Sequence, residues 1–552
     1  MMIEGANAGQ PGALPGTGAG AVADVEVDVL VVGGGINGAG TARDLAGRGF
    51  SVLLVERDDL ASHTSSASTK LIHGGLRYLE HGEFRLVRKA LQEREVLLRA
   101  APHLMGPLRF VMPHEPSMRP AWQVRLGLFL YDHLARREVL PGSRGLDLRR
   151  DPAGALLQAR HARGFEYADG WVDDARLVLA NALDARARGA TVLTRTACVQ
   201  ARRQAGHWQV RLQPAHGPAR EVRARALVNA AGPWADRFLR EHTRDAAGQP
   251  LPARPLRLVQ GSHIVVPRLP GHEAAYLFQN PDGRVLFAIP WVEDSTMIGT
   301  TDVEVQGDPG ACAITPAEIA YLCTEASRHL REPVCPGQIL HTWSGVRPLL
   351  DDEHGNPAAV TRDYRLELDR QGPPLLKLWG GKLTTYRRLA EEAADLLAPA
   401  LAGPGRPPAG PAWTAGAHLP GGDLSAWIGA AQRPDLDFAR FVQAVRQRWP
   451  WLPPALARRL AHTHGSSIDR VLGQARSMAD LGEPLAPGLY QAELQVFVQH
   501  EWATTPEDVL WRRTRCGLRA DAAAAARVDL ALQSLGAGAP SAQGATEPVP
   551  AM

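Results

Sequence analysis

The chain has 552 residues, 45% of them hydrophobic and 22% charged, and a formal net charge of +3. That balance suits a globular chain of two or three domains and gives no electrostatic case for a nucleic-acid partner. Cys198, Cys312, Cys323, Cys335 and Cys516 are scattered without C-x-x-C spacing, which points to a reducing compartment and to no metal cluster.

Residues 1–24 are rich in Gly, Ala and Pro and lack the basic start and apolar core of a secretory signal; they read as a disordered leader. Residues 29–56 then read VLVVGGGINGAGTARDLAGRGFSVLLVE. The apolar run Val29–Val32 meets Gly33, Gly35 and Gly38 at G-x-G-x-x-G spacing, a helical stretch runs to Arg48, and a second apolar run, Val52–Val55, ends at Glu56. This predicts a β-α-β unit with a dinucleotide site. Gly33 permits the tight turn, Gly35 lets backbone approach a pyrophosphate, and Gly38 lets helix pack on strand. The helix N-terminus supplies free N–H groups and positive potential for the anion, and Glu56 is placed to accept from a ribose hydroxyl.

Residues 64–81, TSSASTKLIHGGLRYLEH, are dense in small hydroxyls and then carry Lys70, His73, Gly74-Gly75 and Arg77-Tyr78. Alone they would read as a polar loop; beside the β-α-β unit they suit a second phosphate contact and close approach to a flat ring. Residues 172–199 predict a helix from Asp173 to Arg188, stopped by Gly189, and a strand from Thr191 to Thr194. Residues 222–232 predict another strand entering a glycine turn. Between about 255 and 300 the runs SHIVVP, RVLFAIP and STMIGTT predict an antiparallel sheet, a separate layer from the parallel one. Residues 401–422, rich in Pro and Gly, read as a linker. Beyond it the pattern is helical over 423–535, with a helix start at Thr505-Pro506-Glu507-Asp508. Residues 536–552 read as a disordered tail. No apolar run approaches the ~18 residues of a membrane span.

The fold class is therefore α/β: a dinucleotide-binding Rossmann-like domain with an antiparallel-sheet substrate domain and a C-terminal all-helical domain. The first two form one region, 25–400. Its nucleotide domain is discontinuous, roughly 25–110, 160–250 and 340–400, with substrate-domain insertions at roughly 111–159 and 251–339.

Together with GGGINGAG and TSSASTKLIHGGLRYLEH, several motifs carry a resemblance: RPAWQVRLGLFLYDHL (119–134), FEYADGWVDDARLVLANA (165–182), VNAAGPWAD (228–236), GSHIVVP (261–267), IGTTDVE (298–304), SGVRPL (344–349), TRDY (361–364), GGKLTTYR (380–387) and HEWATTPEDVLWRRT (500–514). The chain resembles the FAD-dependent glycerol-3-phosphate dehydrogenases of aerobic respiration from about residue 25 to 530. The resemblance implies that Gly33, Gly35, Gly38 and Glu56 hold the adenosine diphosphate half of FAD. It implies that Ser65, Ser66, Ser68, Thr69, Lys70 and His73 line the pyrophosphate and flavin side, and that Gly232 passes near the adenosine. Gly381, Lys382, Leu383 and Thr384 would begin a late helix facing the flavin N1–C2 edge.

The implied substrate, sn-glycerol 3-phosphate, carries a dianionic phosphate that calls for fixed cations; Arg77, Arg347 and Lys382 are the candidates. Oxidising its C2 hydroxyl to dihydroxyacetone phosphate needs a base for the proton, His73 first and His263 second, while flavin N5 takes the hydride. Tyr78 is placed to orient substrate. His73 reads also as a hydrogen-bonding partner of flavin or backbone, and Lys382 equally as a cap on a flavin carbonyl.

The family's acceptor is a membrane quinone, which implies a peripheral enzyme on the inner face of the cytoplasmic membrane, with a homodimer left open. Residues 119–137 combine Trp122, Leu126, Leu128, Phe129 and Leu130 with Arg119, Arg125, Arg136 and Arg137. The pattern fits an anionic interface and fits equally a buried amphipathic helix with a basic rim. Arg512, Arg513 and Arg515 form a second basic patch. An oxidase passing electrons to oxygen, and a flavoprotein without turnover, stand as alternatives.

Overall fold

Successive residues of the strand Val25–Val32 point to opposite faces, and each face has its own core. Val29 and Val31 pack with helix residues Ala39, Ala42, Leu177 and Leu389; Leu30 and Val32 pack with Trp208, Phe238 and Trp379. A strand apolar on both faces belongs inside a covered parallel sheet. It pairs in parallel with Val52–Val55, Val29 opposite Val52, and with Arg220–Asn229, Val29 opposite Ala226. Thr191–Leu193 extends the parallel set on one side and Leu375–Trp379 on the other. Antiparallel strands Thr196–Arg203 and Trp208–Pro214 continue this nine-stranded sheet.

The computed structural model describes residues 25–536 except 116–117, 270–272, 293, 351–362 and 405–406. The leader 1–24, the tail beyond Gly536 and residues 361–362 of the TRDY motif lie outside the described residues.

Helices Ile36–Gly47, Asp174–Ala187 and Tyr386–Leu401 cover one face of the sheet. The first is thin where it meets the third: a Cβ on Gly40 would lie 2.8 Å from the Tyr386 ring. The second begins as its sequence predicts, with the Asp173 carboxylate accepting from the N–H of Arg176.

A second sheet of ten strands is mostly antiparallel. Its long strand Leu256–Pro267 pairs along its length with His341–Leu350, so His263 lies opposite Trp343, Gly261 opposite Gly345 and Val259 opposite Arg347. Ala275–Gln279, Val285–Trp291 and Ser295–Gly299 supply the alternating runs expected between 255 and 300. Two cores flank this sheet, one holding Val111, Tyr276 and Phe278 and the other Phe110, Tyr167 and Leu277.

The C-terminal region is helical, with Pro434–Arg448, Pro454–His464, Gln491–His500 and Ala524–Ser534 around two small cores. It also holds a two-stranded ribbon, Pro484–Ala486 with Leu489–Tyr490. The helix start at Thr505 opens into a π-helix, Asp508–Arg513, which turns the consecutive Arg512 and Arg513 to one partner, Asp59. Asp59 accepts from Arg512 Nε at 2.7 Å and from Arg513 Nη2 at 2.8 Å, and Arg515 Nη2 bonds Asp173 and Asp174, each at 2.9 Å. These arginines are thus not a membrane-facing patch: they sit inside an ionic seam between the helical region and the nucleotide domain. The segment 401–422, read as a linker, is docked there too, with Trp413 Nε1 donating to Asp44 O at 3.2 Å.

Candidate functional site

The glycine turn is built by steric exclusion. Gly33 has φ +110°, and a Cβ there would lie 2.5 Å from Ala230 O; a Cβ on Gly38 would lie 1.9 Å from Gly33 O. Helix therefore touches turn, and turn touches the loop after Asn229. Gly35 caps the helix without a side chain. Glu56 accepts from Gly34 N at 2.6 Å and from Asp58 N at 2.9 Å, and burial raises its carboxyl above the usual range. Gly232, at φ +55°, follows the strand end and opens the short helix Gly232–Trp234.

The hydroxyl-rich segment crosses over this turn. Ser65 Oγ accepts from Ile36 N at 3.0 Å, so it stands at the helix N-terminus where an anion is favoured. Ser68 Oγ donates to Asp174 Oδ2 at 2.7 Å, and the Thr69 hydroxyl bonds His263 Nε2 at 3.0 Å. Ser66 Oγ turns away to His63 O. Lys70 departs from its expected place. Its ammonium is buried and bonds Asp174 at 2.8 and 2.9 Å and Ser66 O at 2.8 Å, facing the Trp343 ring rather than the nucleotide side. Burial is the main cause of its amine falling to about 8, against the pull of Asp174. Lys70 is a buried fastener for the segment.

Beside the turn lies one cleft, lined by Ser65, Ser68, Thr69, His73, Arg77, Tyr78, His263, Arg347, Gly381, Lys382, Leu383 and Thr384. The candidate base, substrate-orienting and phosphate-binding residues thus meet on one cavity, although they come from four segments and both sheets. Gly33, Gly35, Gly38, Glu56, Ser66, Lys70 and Gly232 do not line it.

Each cleft residue is held. His73 N–H donates to Thr384 Oγ1 at 3.1 Å, joining the early loop to the late one. Gly74 N–H donates to Tyr131 Oη at 2.8 Å and to Asp169 Oδ1 at 3.2 Å, and Tyr131 and Arg94 also donate to Asp169. Lys382 Nζ lies 3.8 Å from the centre of the Tyr78 ring, a cation–π contact. Arg77 Nη2 donates to Gly283 O at 2.8 Å. Arg347 pairs with Asp302 and donates to Thr300 Oγ1 at 3.0 Å. Gly380 and Gly381 both have positive φ, and Asn37 Nδ2 donates to Gly380 O at 2.9 Å, tying this loop to the first helix. The expected late helix starts there as a short 3-10 turn, Leu383–Thr385, before Tyr386–Leu401.

His263 is buried and stacked on Trp343, with ring centroids 5.2 Å apart. Burial, then the positive Arg347 and Lys70, press its pKa down to about 3. Its ring is neutral near pH 7 and a feeble proton acceptor, which leaves His73 the better placed of the two imidazoles for base chemistry.

Asp302, Thr300, Tyr131 and Asp169 escape sequence reasoning. Asp302 sits in IGTTDVE, a motif visible in the sequence, but its pairing with Arg347 depends on strand neighbours. Tyr131 and Asp169 read as ordinary helix and strand residues.

The turn fits a dinucleotide: backbone fills the places a Cβ would take at Gly33 and Gly38, a helix N-terminus points inward, and the buried Asn37 Oδ1 accepts no hydrogen bond. Residues 28–387 match the FAD dependent oxidoreductase family, and residues 412–537 match the C-terminal domain of alpha-glycerophosphate oxidase. The chain is 52% identical over 509 residues to a glycerol-3-phosphate dehydrogenase of Pseudomonas aeruginosa, covering 92% of this chain and 95% of that one. It is 48% identical over 490 residues to a D-erythritol 1-phosphate dehydrogenase of Brucella abortus, covering 88% and 94%. The solved glycerol-3-phosphate dehydrogenase of Bacillus halodurans, complexed with FAD, superposes with a TM-score of 0.69 at 29% identity, covering 89% of this chain and 86% of that one. The chain belongs to the family of FAD-dependent glycerol-3-phosphate dehydrogenases, and it is a flavoenzyme whose cofactor is FAD.

Proposed function

We propose that the enzyme oxidises sn-glycerol 3-phosphate to dihydroxyacetone phosphate and passes the electrons to a membrane quinone, in the catabolism of glycerol and glycerophospholipids. The observation that carries the substrate is the meeting of Arg77, Arg347, Lys382 and His73 on one cleft beside the glycine turn. Gly33, Gly35, Gly38 and Glu56 hold the adenosine diphosphate half of FAD, and Ser65, Thr69, Gly381, Leu383 and Thr384 flank the rest. Bound FAD supplies the two-electron acceptor for the C2 hydride.

The guanidinium groups of Arg77 and Arg347 grip the phosphate as planar forks, and Asp302 holds Arg347 in orientation. Lys382, stacked on Tyr78, adds a third cation beside it. His73 takes the C2 hydroxyl proton at a ring nitrogen, while its backbone N–H stays fixed on Thr384. The neutral His263 and Thr69 form a hydrogen-bonded wall that resists protonation. A four-carbon polyol phosphate is the second substrate to test, because the Brucella relative is named for one.

Support for the quinone comes from the helix Ala121–His133. It buries Leu128 and Tyr131 but leaves Trp122 66%, Leu126 51% and Phe129 50% exposed, with Phe84 exposed on the neighbouring helix. Arg119 and Arg136 flank this apolar surface, which suits an anionic membrane face. Among the described residues no helix is long and apolar enough to cross a membrane. A groove lined by Phe84, Trp122, Leu126 and Leu130 runs beneath this helix and shares Leu76, Arg77, Leu277 and Val285 with the substrate cleft.

The test is anaerobic. Substrate should bleach the oxidised-flavin band and a quinone analogue should restore it. Recovery only on admitting air would make the enzyme an oxidase, and a flavin that never bleaches with either polyol phosphate would overturn the substrate.

A further inference from the structure

Away from the cleft, on the other core of the second sheet, three buried or half-buried groups face each other with nothing between them. Glu115 follows the strand Met105–His114, His161 precedes the strand Arg163–Val172, and His329 follows the helix Pro316–Ser327. One ligand atom from each lies within 4.8 Å of the others. His161 Nδ1 is 3.5 Å and His329 Nδ1 4.0 Å from Glu115 Oε1. His161 and His329 are each 3% exposed.

The hydrogen bonding leaves this group unfinished. His329 Nε2 bonds Asn280 Oδ1 at 3.2 Å. That bond anchors the outer ring nitrogen and leaves Nδ1 turned toward Glu115. His329 Nδ1 and Glu115 Oε1 face one another at 4.0 Å, and neither has a hydrogen-bond partner. Both ring nitrogens of His161 are also without a partner. Buried polar atoms are rarely left so in a native fold. The imidazoles are stacked, with centroids 5.3 Å apart, and Phe278 stacks on His329 at 4.5 Å, so the rings are fixed in place.

We propose that Glu115, His161 and His329 bind one divalent transition-metal ion of the zinc class. Two imidazoles and a carboxylate are the donors zinc takes, and Asn280 is the outer partner that fixes a ligating imidazole. Bonds of ~2.0–2.1 Å in a tetrahedron place donors about 3.3 Å apart, so the observed spacing closes by small shifts. Arg160, 3.4 Å from Glu115 Oε1, is half exposed and also donates to Arg328 O, a carbonyl that can keep the guanidinium when Glu115 turns to the ion. Sequence reading finds no such site because it looks for cysteine spacing, and these donors are spread over 215 positions. The ion would pin the ends of two strands and one helix of the substrate domain and touches none of the reacting groups.

The holoenzyme, treated with chelator and keeping its FAD, is titrated calorimetrically with zinc chloride. One equivalent should bind, and zinc should raise the thermal midpoint. His161→Gln should abolish this equivalent. Glu115→Gln, on a partly exposed side chain, and Asn280→Ala should weaken it by about 10–100-fold; they decide the matter if His161→Gln loses its flavin and so fails to fold. Absence of saturable binding by the wild type, as when a water bridges the acceptors, overturns the proposal. Binding left unchanged in Glu115→Gln and Asn280→Ala places the metal elsewhere and overturns it equally.

Discussion

The glycine turn and the substrate cleft share a wall but are made in different ways. The turn is mostly local: its glycines, helix and acid lie between Val25 and Glu56, the loop at Ala230 closes against it, and backbone sterics decide it. The cleft is assembled from residues as far apart in the chain as Ser65 and Thr384, and charge decides it, with Arg347 answered by Asp302 and Lys382 by the Tyr78 ring. A turn made by exclusion should fail completely when a single side chain is added. A cleft made of separate cations should lose function in portions.

The sharpest break is Gly38→Val. The new side chain would overlap Gly33 O, which is backbone and cannot move aside, so the protein should purify colourless, with the flavin band absent; a yellow variant would show that the turn tolerates a side chain. Next is Asp59→Ala, three residues past Glu56. It strands the buried Arg513 without its carboxylate and leaves Arg512 only Asp508 and Glu507, which should cost about 3–5 kcal/mol, read as a lower urea midpoint. An unchanged midpoint would mean that the helical region does not brace the turn. The cleft should respond in two separable ways. His73→Asn should lower kcat by about 10²–10⁴-fold with FAD still bound, and Arg347→Met should raise KM by about tenfold or more with little change in flavin content. Equal effects of both on KM would place His73 in binding and not in proton transfer.

The smallest effect per group is that of acid. Burial holds His263 at about 3 and His341 and His462 at about 4, below the ordinary imidazole value near 6.5. Between pH ~6.5 and ~4 the unfolded chain therefore binds more protons than the folded one. Stability should fall with falling pH by about 1.4 kcal/mol per pH unit for each such group. Two of these histidines lie in the strands around His263 and Trp343, and none in the glycine turn. Urea midpoints at pH 7.5 and 5.5, with flavin release followed in parallel, would test whether the cleft side loosens before the cofactor leaves. Flavin release preceding unfolding would reverse that order.

The difference between the regions also explains what could be read in advance. Gly33, Gly35, Gly38 and Glu56 announce the turn because strand, glycine spacing and helix are contiguous. The alternation in SHIVVP and RVLFAIP announces the second sheet for a similar reason, a period of two within a few residues. Lys70 misleads: a lysine beside a hydroxyl-rich loop reads as a phosphate contact, yet Asp174, over a hundred positions away, takes its charge into the interior. Arg512, Arg513 and Arg515 mislead in the same way, since a basic run looks solvated until Asp59, Asp173 and Asp174 are brought against it.

The sequence by itself determined the dinucleotide turn, the alternating runs of the second sheet, the helical character of the C-terminal region, and the residue types available for phosphate and proton. These depend on backbone sterics and on periodicities no longer than a few turns. Only the tertiary structure decided which charges are spent inside the fold and which remain in the cleft, that His263 is held neutral, and that Glu115, His161 and His329 converge. Those outcomes depend on burial and on partners far apart in the chain, because the free energy of a charge is set by what surrounds it and not by its neighbours in sequence.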